Sequence, residues 1–454
     1  MTNPPTKPSP SPLPRKSLPH WQTTTAVGLF VGYSGYYLCR SNLSIATPLI
    51  IQEFGGRGIN KEVMGQIASV GVVFYAVGKV VNGILGDFVG GKKIFVLGMV
   101  GSVLATVVFG LGAGTGVFFA AWAANRLVQS MGWGGLVKMT VNWFSFRAYG
   151  RIMALLSLSF LAGDIAAKLL LGQLLELGLG WRSAFVVAAA TLALIALVLW
   201  QTLKENPEAR GLSSPEENPD NLFAGRNRGD SNARPESLGA LLRPYFRSLS
   251  FGLVLVMSFG LTAIREAFNF WLPTYLFETA GLSGGAASQF SALFPLLGMV
   301  SILGAGYLSD SLLRGKKGVI ILVACVLITG VLIGMAAGFT GNAWPLVFIS
   351  LTGLLLLGPY SFLAGAMSLD AGGRQGAATA SGLVDAIGYL GGMLALWLTG
   401  RLAENNGWNS AFRFLALIAA TTAVAALVFY LTQERKKISR SGQPSPPETD
   451  LDRI

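Results

Sequence analysis

About a dozen apolar runs, separated by very little polar sequence, limit what this chain can fold into. Each run approaches the roughly 20 residues that an α-helix needs to cross a bilayer. Hydrophobic residues make up 52% of the chain and charged residues only 12%, whereas soluble domains carry about 25% charged residues. Backbone hydrogen bonds in lipid must be made within the segment, and the runs lack the alternating pattern of a membrane barrel. The sequence therefore predicts an all-α membrane protein with twelve transmembrane helices. The runs begin near Thr24, Val63, Ile94, Val117, Ile152, Ala184, Phe251, Ser288, Val319, Trp344, Ala377 and Phe412.

Lysine and arginine are concentrated on one set of alternate loops. Cytoplasmic loops of membrane proteins carry an excess of these residues, so we expect both termini and the central loop in the cytoplasm. The net charge of +12 is explained by this topology, and the placement argues against nucleic acid as a partner. The clusters comprise Lys92, Lys93, Arg147, Arg151, Arg314, Lys316, Lys317, Arg374, Arg435, Lys436 and Lys437.

The chain contains an internal repeat of about 225 residues. An arginine, a proline, an acid and a glycine recur at identical spacing, and two further patterns recur in the same order. The matched sets are Arg40, Pro48, Glu53 and Gly56 with Arg265, Pro273, Glu278 and Gly281; Gly83, Asp87 and Lys93 with Gly306, Asp310 and Lys316; and residues 180–185 with 407–412. Three ordered matches indicate a duplicated six-helix unit.

A polar stretch rich in Pro, Asn, Ser, Glu and Arg separates the two copies. We expect a cytoplasmic tail at 1–22, a first half at 23–202, a cytoplasmic linker at 203–245, a second half at 246–432 and a cytoplasmic tail at 433–454. Parallel six-helix repeats are the organisation of the major facilitator fold, whose substrates bind near the midplane between the halves. The sequence therefore predicts that fold, with a central substrate cavity.

The repeated arginine predicts an anion site. A charge at the centre of a bilayer costs roughly 2.5 to 3.5 kcal/mol, so we expect Arg40 and Arg265 to have a compensating partner. An arginine fork donates two parallel hydrogen bonds to a phosphate, which suits it better than lysine to this ligand. The alternative is neutralisation by a nearby acid; Glu266 is adjacent to Arg265, but neighbouring residues on a helix are expected to point in different directions.

Polar residues at helical spacing accompany each of these arginines. Tyr33, Tyr37 and Ser44 share a face of the first helix with Arg40. Tyr75, Lys79 and Asn82 form a second stripe, and Thr262, Arg265 and Asn269 form a third. The three stripes predict a lined cavity. Lys79 has no counterpart in the second copy, where the repeat places Ile302.

Other charges within the apolar runs leave their roles open. Asp164 and Lys168 are four residues apart, so they either neutralise each other or serve in coupling. Asp385 either pairs with Lys79 or contacts substrate hydroxyl groups. For Arg126 we expect a role in helix packing or gating rather than in substrate binding.

Four charged residues are expected to act in conformational gating. Asp87 and Lys93, and their repeats Asp310 and Lys316, follow the second span of each half. Acid and base at such positions bridge neighbouring helices and break when that face opens. Glu53 and Glu278 are expected to be their counterparts at the outer ends, or helix caps.

Nothing in the sequence supports an enzyme. The single histidine, His20, precedes the first span, and Cys39 and Cys325 lie in opposite halves without metal-ligand spacing. No nucleophile, metal cluster or phosphate-binding glycine loop is recognisable. We therefore expect neither a metal nor a cofactor.

At these positions the chain resembles the organophosphate:phosphate antiporter family over nearly its whole length. The strongest match is the first span, Gly32-Tyr33-Ser-Gly-Tyr36-Tyr37-Leu-Cys-Arg40-Ser-Asn42. Further matches are Tyr75 to Lys79, Asn125 through Gln129 to Trp133, Arg265 to Trp271 with Pro273 and Tyr275, Gly358-Pro359, and Gly388-Tyr389. The resemblance implies exchange of a phosphorylated metabolite for inorganic phosphate, with both arginines on the phosphate and with Lys79, Tyr33, Tyr37 and Tyr389 lining the site.

The chain also departs from the pattern of that family. Phe160 stands where glycerol-3-phosphate exchangers have a histidine, and Ser381 and Val384 replace the Asp and Lys of hexose-phosphate exchangers. Asp385 instead resembles eukaryotic sugar-phosphate exchangers, and Gly134-Gly135 replace two prolines. Specificity is therefore expected at Lys79, Phe160 and Asp385.

The predicted function is transport of an organic phosphate, of the sugar-phosphate or glycerol-3-phosphate class, in exchange for inorganic phosphate by alternating access. One alternative is a membrane sensor that binds a sugar phosphate without net transport. Another is a transporter of a different small anion, nitrate or a carboxylate. We expect a monomer in the lipid bilayer of a plasma membrane or bacterial inner membrane.

Overall fold

The computed structural model describes residues 17–213, 215, 243, 245, 247–309, 316–338, 343–363 and 367–435. Within these residues the chain is helical and contains no strand. The helices are α1 Ser17–Phe54, α2 Lys61–Val89, α3 Gly91–Leu111, α4 Thr115–Trp143, α5 Phe146–Ser157, α6 Ser159–Glu176, α7 Trp181–Thr202, α8 Leu249–Thr279, α9 Gly284–Ser291, α10 Leu293–Tyr307, α11 Lys317–Ala336, α12 Trp344–Phe362, α13 Ser368–Asn406 and α14 Trp408–Phe429.

These helices match the twelve predicted spans. Two spans are each built from a pair of helices, α5 with α6 and α9 with α10, which meet at Leu158 and Ala292. Serine hydroxyls near both breaks donate to backbone carbonyls, as Ser159 does to Leu156 and Ser291 to Ser288. Such bonds compete with the regular helix ladder. Nine helical segments among the described residues are long and apolar enough to cross a membrane.

The chain divides into two compact units. The first comprises Met1–Asn232 and Leu272–Pro295, and the second comprises Ala233–Trp271 and Leu296–Ile454. The first unit thus includes the end of α8 and all of α9, which packs against α6. The linker and the two tails largely lie outside the described residues, so the predicted domain boundaries stay predictions.

Small residues allow the helices of the first unit to approach closely. A Cβ at Gly163 of α6 would lie 2.5 Å from the carbonyl oxygen of Ser34 in α1. The Ser34 hydroxyl in turn donates to the Ser159 carbonyl at 2.9 Å. Gly135 leaves room for Phe95 of α3 in the same way, since a Cβ there would lie 2.7 Å from the Phe95 Cβ. Close approach through small residues is the usual basis of helix packing in membranes.

In the second unit, α11 packs on α12 and α14, and α13 packs on α14. Helix α13 also lies against α8, because the Ser258 hydroxyl donates to the Val384 carbonyl at 2.8 Å. A Cβ at Gly391 would lie 2.4 Å from the carbonyl oxygen of Phe259. The contact fixes the part of α13 that carries Asp385 and Tyr389 beside the helix that carries Arg265.

Candidate substrate site

Arg40 of α1 lies on two tyrosine rings of the first unit. Its guanidinium carbon is 4.5 Å from the ring centroid of Tyr75 in α2 and 5.0 Å from that of Tyr37. Arg40 is half-buried, and Tyr75 is buried. The negative face of an aromatic ring attracts a cation and orients a guanidinium plane. The predicted first-helix face therefore meets the predicted second-helix stripe at this arginine.

Two more cations lie near the same ring. The Lys79 ammonium is 5.6 Å from the Tyr75 ring centroid, and the guanidinium carbon of Arg126 in α4 is 4.7 Å from it. Lys79 was predicted to line the cavity, whereas Arg126 was expected to pack helices or gate. We call Arg40, Lys79, Arg126 and Tyr75 the Tyr75 cluster.

Aromatic side chains extend the site away from this cluster. The ring centroid of Tyr37 lies 6.3 Å from that of Phe160 and 6.0 Å from that of Tyr33. The ring centroids of Tyr33 and Trp133 are 5.5 Å apart. The structure thus brings the predicted Tyr33, Tyr37 and Phe160 together beside Arg40. A wall of this kind is apolar apart from the tyrosine hydroxyls and the indole N–H of Trp133.

Asn82 does not belong to the site, and the prediction that it lines a cavity was wrong. Its amide nitrogen donates to the Leu127 carbonyl at 2.9 Å and to the Ser130 hydroxyl at 2.6 Å. Both partners lie on α4. A buried amide has to satisfy its hydrogen bonds locally, so Asn82 holds α2 against α4 at the level of Lys79.

Two residues of α4 fix the backbone that carries Arg40. The side-chain amides of Asn125 and Gln129 both donate to the carbonyl of Cys39, at 3.3 and 3.0 Å. Gln129 also donates to Ser102 of α3. In the sequence, Asn125 and Gln129 stood out only as positions that resemble the family. Their four-residue spacing on a buried helix face was the signal for such a positioning role.

Asp164 and Lys168 form an ion pair, which agrees with the first of the two alternatives given for them, mutual neutralisation. Their charged atoms are 3.0 Å apart, and Lys168 is fully buried. The Ser41 hydroxyl also donates to Asp164 at 2.5 Å. This network ties α6 to α1 one residue from Arg40.

Arg265 of the second unit forms an ion pair with Glu266, and the expectation that Glu266 points away was wrong. Successive helical residues diverge at Cβ, but these two long side chains bend back far enough to meet. The guanidinium carbon of Arg265 also lies 4.5 Å from the ring centroid of Tyr360 in α12. Each of the two repeated arginines therefore lies on aromatic rings of its own unit, and Arg265 also lies beside a carboxylate.

The other predicted residues of the second unit lie near this arginine in the fold. Asn269 follows Arg265 by one helical turn, and Asp385 and Tyr389 are carried by the part of α13 that packs on α8. All three are half-buried. Thr262 is buried against Gly388, where a Cβ would lie 2.7 Å from its hydroxyl. Thr262 therefore serves helix packing.

The predicted gating residues are only partly described. Asp310 and the side chain of Asp87 lie outside the described residues, and Lys93 is exposed. The structure instead places an acid at each corresponding helix start. Glu205 accepts hydrogen bonds from the backbone nitrogens of Gly91 and Lys92, at 2.5 and 3.0 Å.

Glu434 does the same in the second unit, where it accepts from the backbone nitrogen of Gly318 at 2.7 Å, two residues beyond Lys316. An acid stabilises the first turn of a helix through unpaired N–H groups and the helix dipole. Because these caps follow the last span of each half by similar spacing, they are a fourth element of the repeat. Sequence reasoning missed them.

Acids at the other ends of the spans form ion pairs. Glu53 accepts from Arg182 and from the Trp181 indole, each at 2.7 Å. In the second copy Asn409 replaces Arg182. Glu278, the repeat of Glu53, instead pairs with Lys61 of α2 at 3.1 Å.

Helix α9 is bound to α6 by further contacts within the first unit. Glu176 accepts hydrogen bonds from the Ser283 hydroxyl and from the backbone nitrogen of Ala286. The Ser288 hydroxyl donates to the Lys168 carbonyl at 2.9 Å.

Among the described residues no group of three His, Cys, Asp or Glu side chains could hold a metal ion.

Comparison with known proteins agrees with this architecture. The model of the Major Facilitator Superfamily matches residues 29–396. A probable hexose phosphate transport protein of Chlamydia muridarum is 26% identical over 92% of each chain. The membrane sensor protein UhpC of Escherichia coli is 26% identical over 91% of this chain and 93% of its own. A bacterial homologue of the human lysosomal transporter Spinster, in an inward-facing and unoccupied conformation, superposes with a TM-score of 0.68 at 16% identity, covering 94% of this chain and 99% of that one.

Proposed function

Because the chain belongs to the Major Facilitator Superfamily, we propose that it is a multi-pass membrane transporter that exchanges an organic phosphate for inorganic phosphate. The organic phosphate is of the sugar-phosphate or glycerol-3-phosphate class. The observation that carries this proposal is Arg40 on the rings of Tyr37 and Tyr75 with Lys79 beside the same ring. Similarity to a hexose phosphate transport protein over most of both chains supports the substrate class.

Phosphate binding follows from the chemistry of these side chains. Arg40 presents a planar fork that donates two hydrogen bonds to two phosphate oxygens, and Tyr37 and Tyr75 limit the orientations of that fork. Lys79 adds a third donor group and a second charge. Arg265 binds the phosphate by exchanging its carboxylate partner, Glu266, for a phosphate oxygen. Tyr33 and Phe160, together with Asn269, Asp385 and Tyr389, contact the organic part.

Obligatory exchange follows from the repulsion among these cations. Buried like charges destabilise an empty site, and a bound phosphate relieves that repulsion. A change of access that buries the site further is therefore favourable only when phosphate or an organic phosphate is bound. The outward phosphate gradient then drives accumulation, and no proton site is required. In this scheme both termini are cytoplasmic and the monomer is the functional unit.

The decisive experiment replaces the fork but keeps the charge. Arg40→Lys is expected to lower phosphate counterflow in proteoliposomes at least tenfold, because one bidentate charge-assisted contact is lost. Arg413→Lys is the matched control, since Arg413 is exposed at the start of α14. Near-normal exchange by the Arg40 variant would contradict the proposed role of the fork.

A sensor is the second candidate, favoured by the similarity to the sensor protein UhpC. Proteoliposomes loaded with phosphate separate the two functions, because a sensor binds glucose-6-phosphate without accumulating it. A carrier of another small anion is distinguished by competition. Exchange that is inhibited by phosphate but not by nitrate or lactate supports an organic-phosphate carrier.

A further inference from the structure

Arg126 is a buried cation that the exchange scheme above does not use. The residue is 4% exposed, and its guanidinium carbon lies 4.7 Å from the Tyr75 ring centroid. The stem passes Gly71 of α2, where a Cβ would lie 2.8 Å from the Arg126 Cγ. Gln129 accepts a hydrogen bond from Arg126 at 3.5 Å, the outer limit for such a bond. The fold therefore makes room for this arginine beside the ring that Arg40 occupies.

The Tyr75 cluster carries three positive charges from three helices. Arg40 comes from α1, Lys79 from α2 and Arg126 from α4, and all three charged groups lie within 5.6 Å of one ring centroid. A phosphate monoester carries a charge of about −1.5 to −2 near neutral pH. Arg40 and Lys79 match that charge, even without Arg265, which the exchange scheme also places on the phosphate. Arg126 adds a charge that a monoester phosphate does not need.

The shared ring limits how far apart the three cations lie, since no two of them are separated by more than twice the 5.6 Å that is the longest distance to its centroid. An upper limit of this size is spanned by a short carbon skeleton with an anionic group at each end. Arginine donates five hydrogen bonds, accepts none and stays charged. An anionic group satisfies it better than the hydroxyl of a neutral sugar does.

We propose that Arg126 forms an anion subsite and that the preferred organic substrate carries a second anionic group, a carboxylate or a second phosphate. This inference rests on the proposed phosphate exchange and narrows its substrate class. Arg40, Lys79 and Arg265 bind the phosphate, as in the exchange scheme, and Arg126 binds the second anion. Arg126 thus selects among phosphorylated substrates and does not act in helix packing or gating.

The test compares substrates that differ in one group. 3-Phosphoglycerate and glycerol-3-phosphate share a three-carbon skeleton and differ at one end, as do 6-phosphogluconate and glucose-6-phosphate. Each competes for counterflow of labelled phosphate in phosphate-loaded proteoliposomes. The wild-type protein is expected to prefer the acid of each pair at least tenfold. Arg126→Gln is expected to reduce that ratio at least tenfold, Arg126→Lys to retain part of it, and the exposed control Arg413→Gln to leave it unchanged.

The outcomes distinguish failure of the Arg126 inference from failure of the proposed function. If Arg126→Gln weakens competition by both members of a pair equally, or if Arg126→Lys loses as much of the preference for the acid as Arg126→Gln does, Arg126 has a structural role and the inference fails. If the wild-type protein exchanges phosphate for monophosphates without preferring the acids, the inference fails and the proposed function stands. If it exchanges phosphate for none of the four compounds, the proposed function itself is wrong.

Discussion

Replacing Gly285 by alanine is expected to separate α9 from α6 and to expose the interior of the first unit. Gly285 lies in the first turn of α9, and an added Cβ would lie 2.4 Å from the carbonyl oxygen of Gly172 and 2.6 Å from the Cγ of Glu176. Real Cβ contacts are not that short. Because the first obstacle is a backbone atom of α6, the helices must move apart.

The size of the effect follows from the cost of overpacking. Forcing a methyl group into a filled contact costs roughly 1–3 kcal/mol. A penalty confined to the closed arrangement of α9 and α6 shifts its equilibrium with an open one by about 5- to 150-fold. Gly284→Ala is the matched control, because its Cβ would meet only the Leu49 side chain at an ordinary 3.5 Å. Both variants change helix propensity by the same substitution in the same helical turn.

Alkylation of a buried cysteine by a membrane-impermeant thiol reagent measures this opening. Ser44→Cys serves as the reporter, because Ser44 is 4% exposed on the polar face of α1. The native Cys39 and Cys325, both buried and unpaired, are first replaced by serine. We expect Gly285→Ala to raise the labelling rate about 5- to 150-fold and Gly284→Ala to change it less than about twofold. Equal rates in the two variants would refute the steric argument.

Two further predictions concern stability in detergent, measured by thermal unfolding. Glu205→Gln is expected to lower the melting temperature, since it removes the charge from the cap on Gly91, worth about 1 kcal/mol. An unchanged melting temperature in Glu205→Gln would contradict the capping role. Lys168→Leu is expected to destabilise strongly, by about 3–5 kcal/mol, because it leaves the Asp164 charge buried without its ion-pair partner. The double variant with Asp164→Leu should unfold at a higher temperature than Lys168→Leu alone, and a lower temperature would contradict this reasoning.

The class of the protein was readable from the sequence. The apolar runs, the repeated arginine pattern and the first-span motif predicted a major facilitator fold and a resemblance to organophosphate:phosphate antiporters. The family match and the relatives confirm both, as well as the prediction of a multi-pass transport protein rather than an enzyme. These signals are local in the chain, because the lipid core requires each span to satisfy its own backbone.

The partners of individual side chains were harder to predict from the sequence. The spacing of Asn82 placed it on the stripe with Lys79, but its amide is satisfied by α4. Helical spacing defines a face and does not say whether a cavity or another helix covers it. The ion pair between Glu266 and Arg265 was not predicted because the direction of a side chain at Cβ does not determine where a long side chain ends.

Sequence alone determined that Arg40 and Arg265 are duplicated, that their cost requires a partner, and that an arginine fork suits phosphate. Only the tertiary structure placed Arg126 on the ring shared by Arg40 and Lys79, paired Arg265 with Glu266, and seated α9 on α6. The physical reason is the distance along the chain over which each effect acts. The cost of a charge in lipid and the period of a helix act within one segment, whereas the neighbours of that charge come from helices distant in the chain.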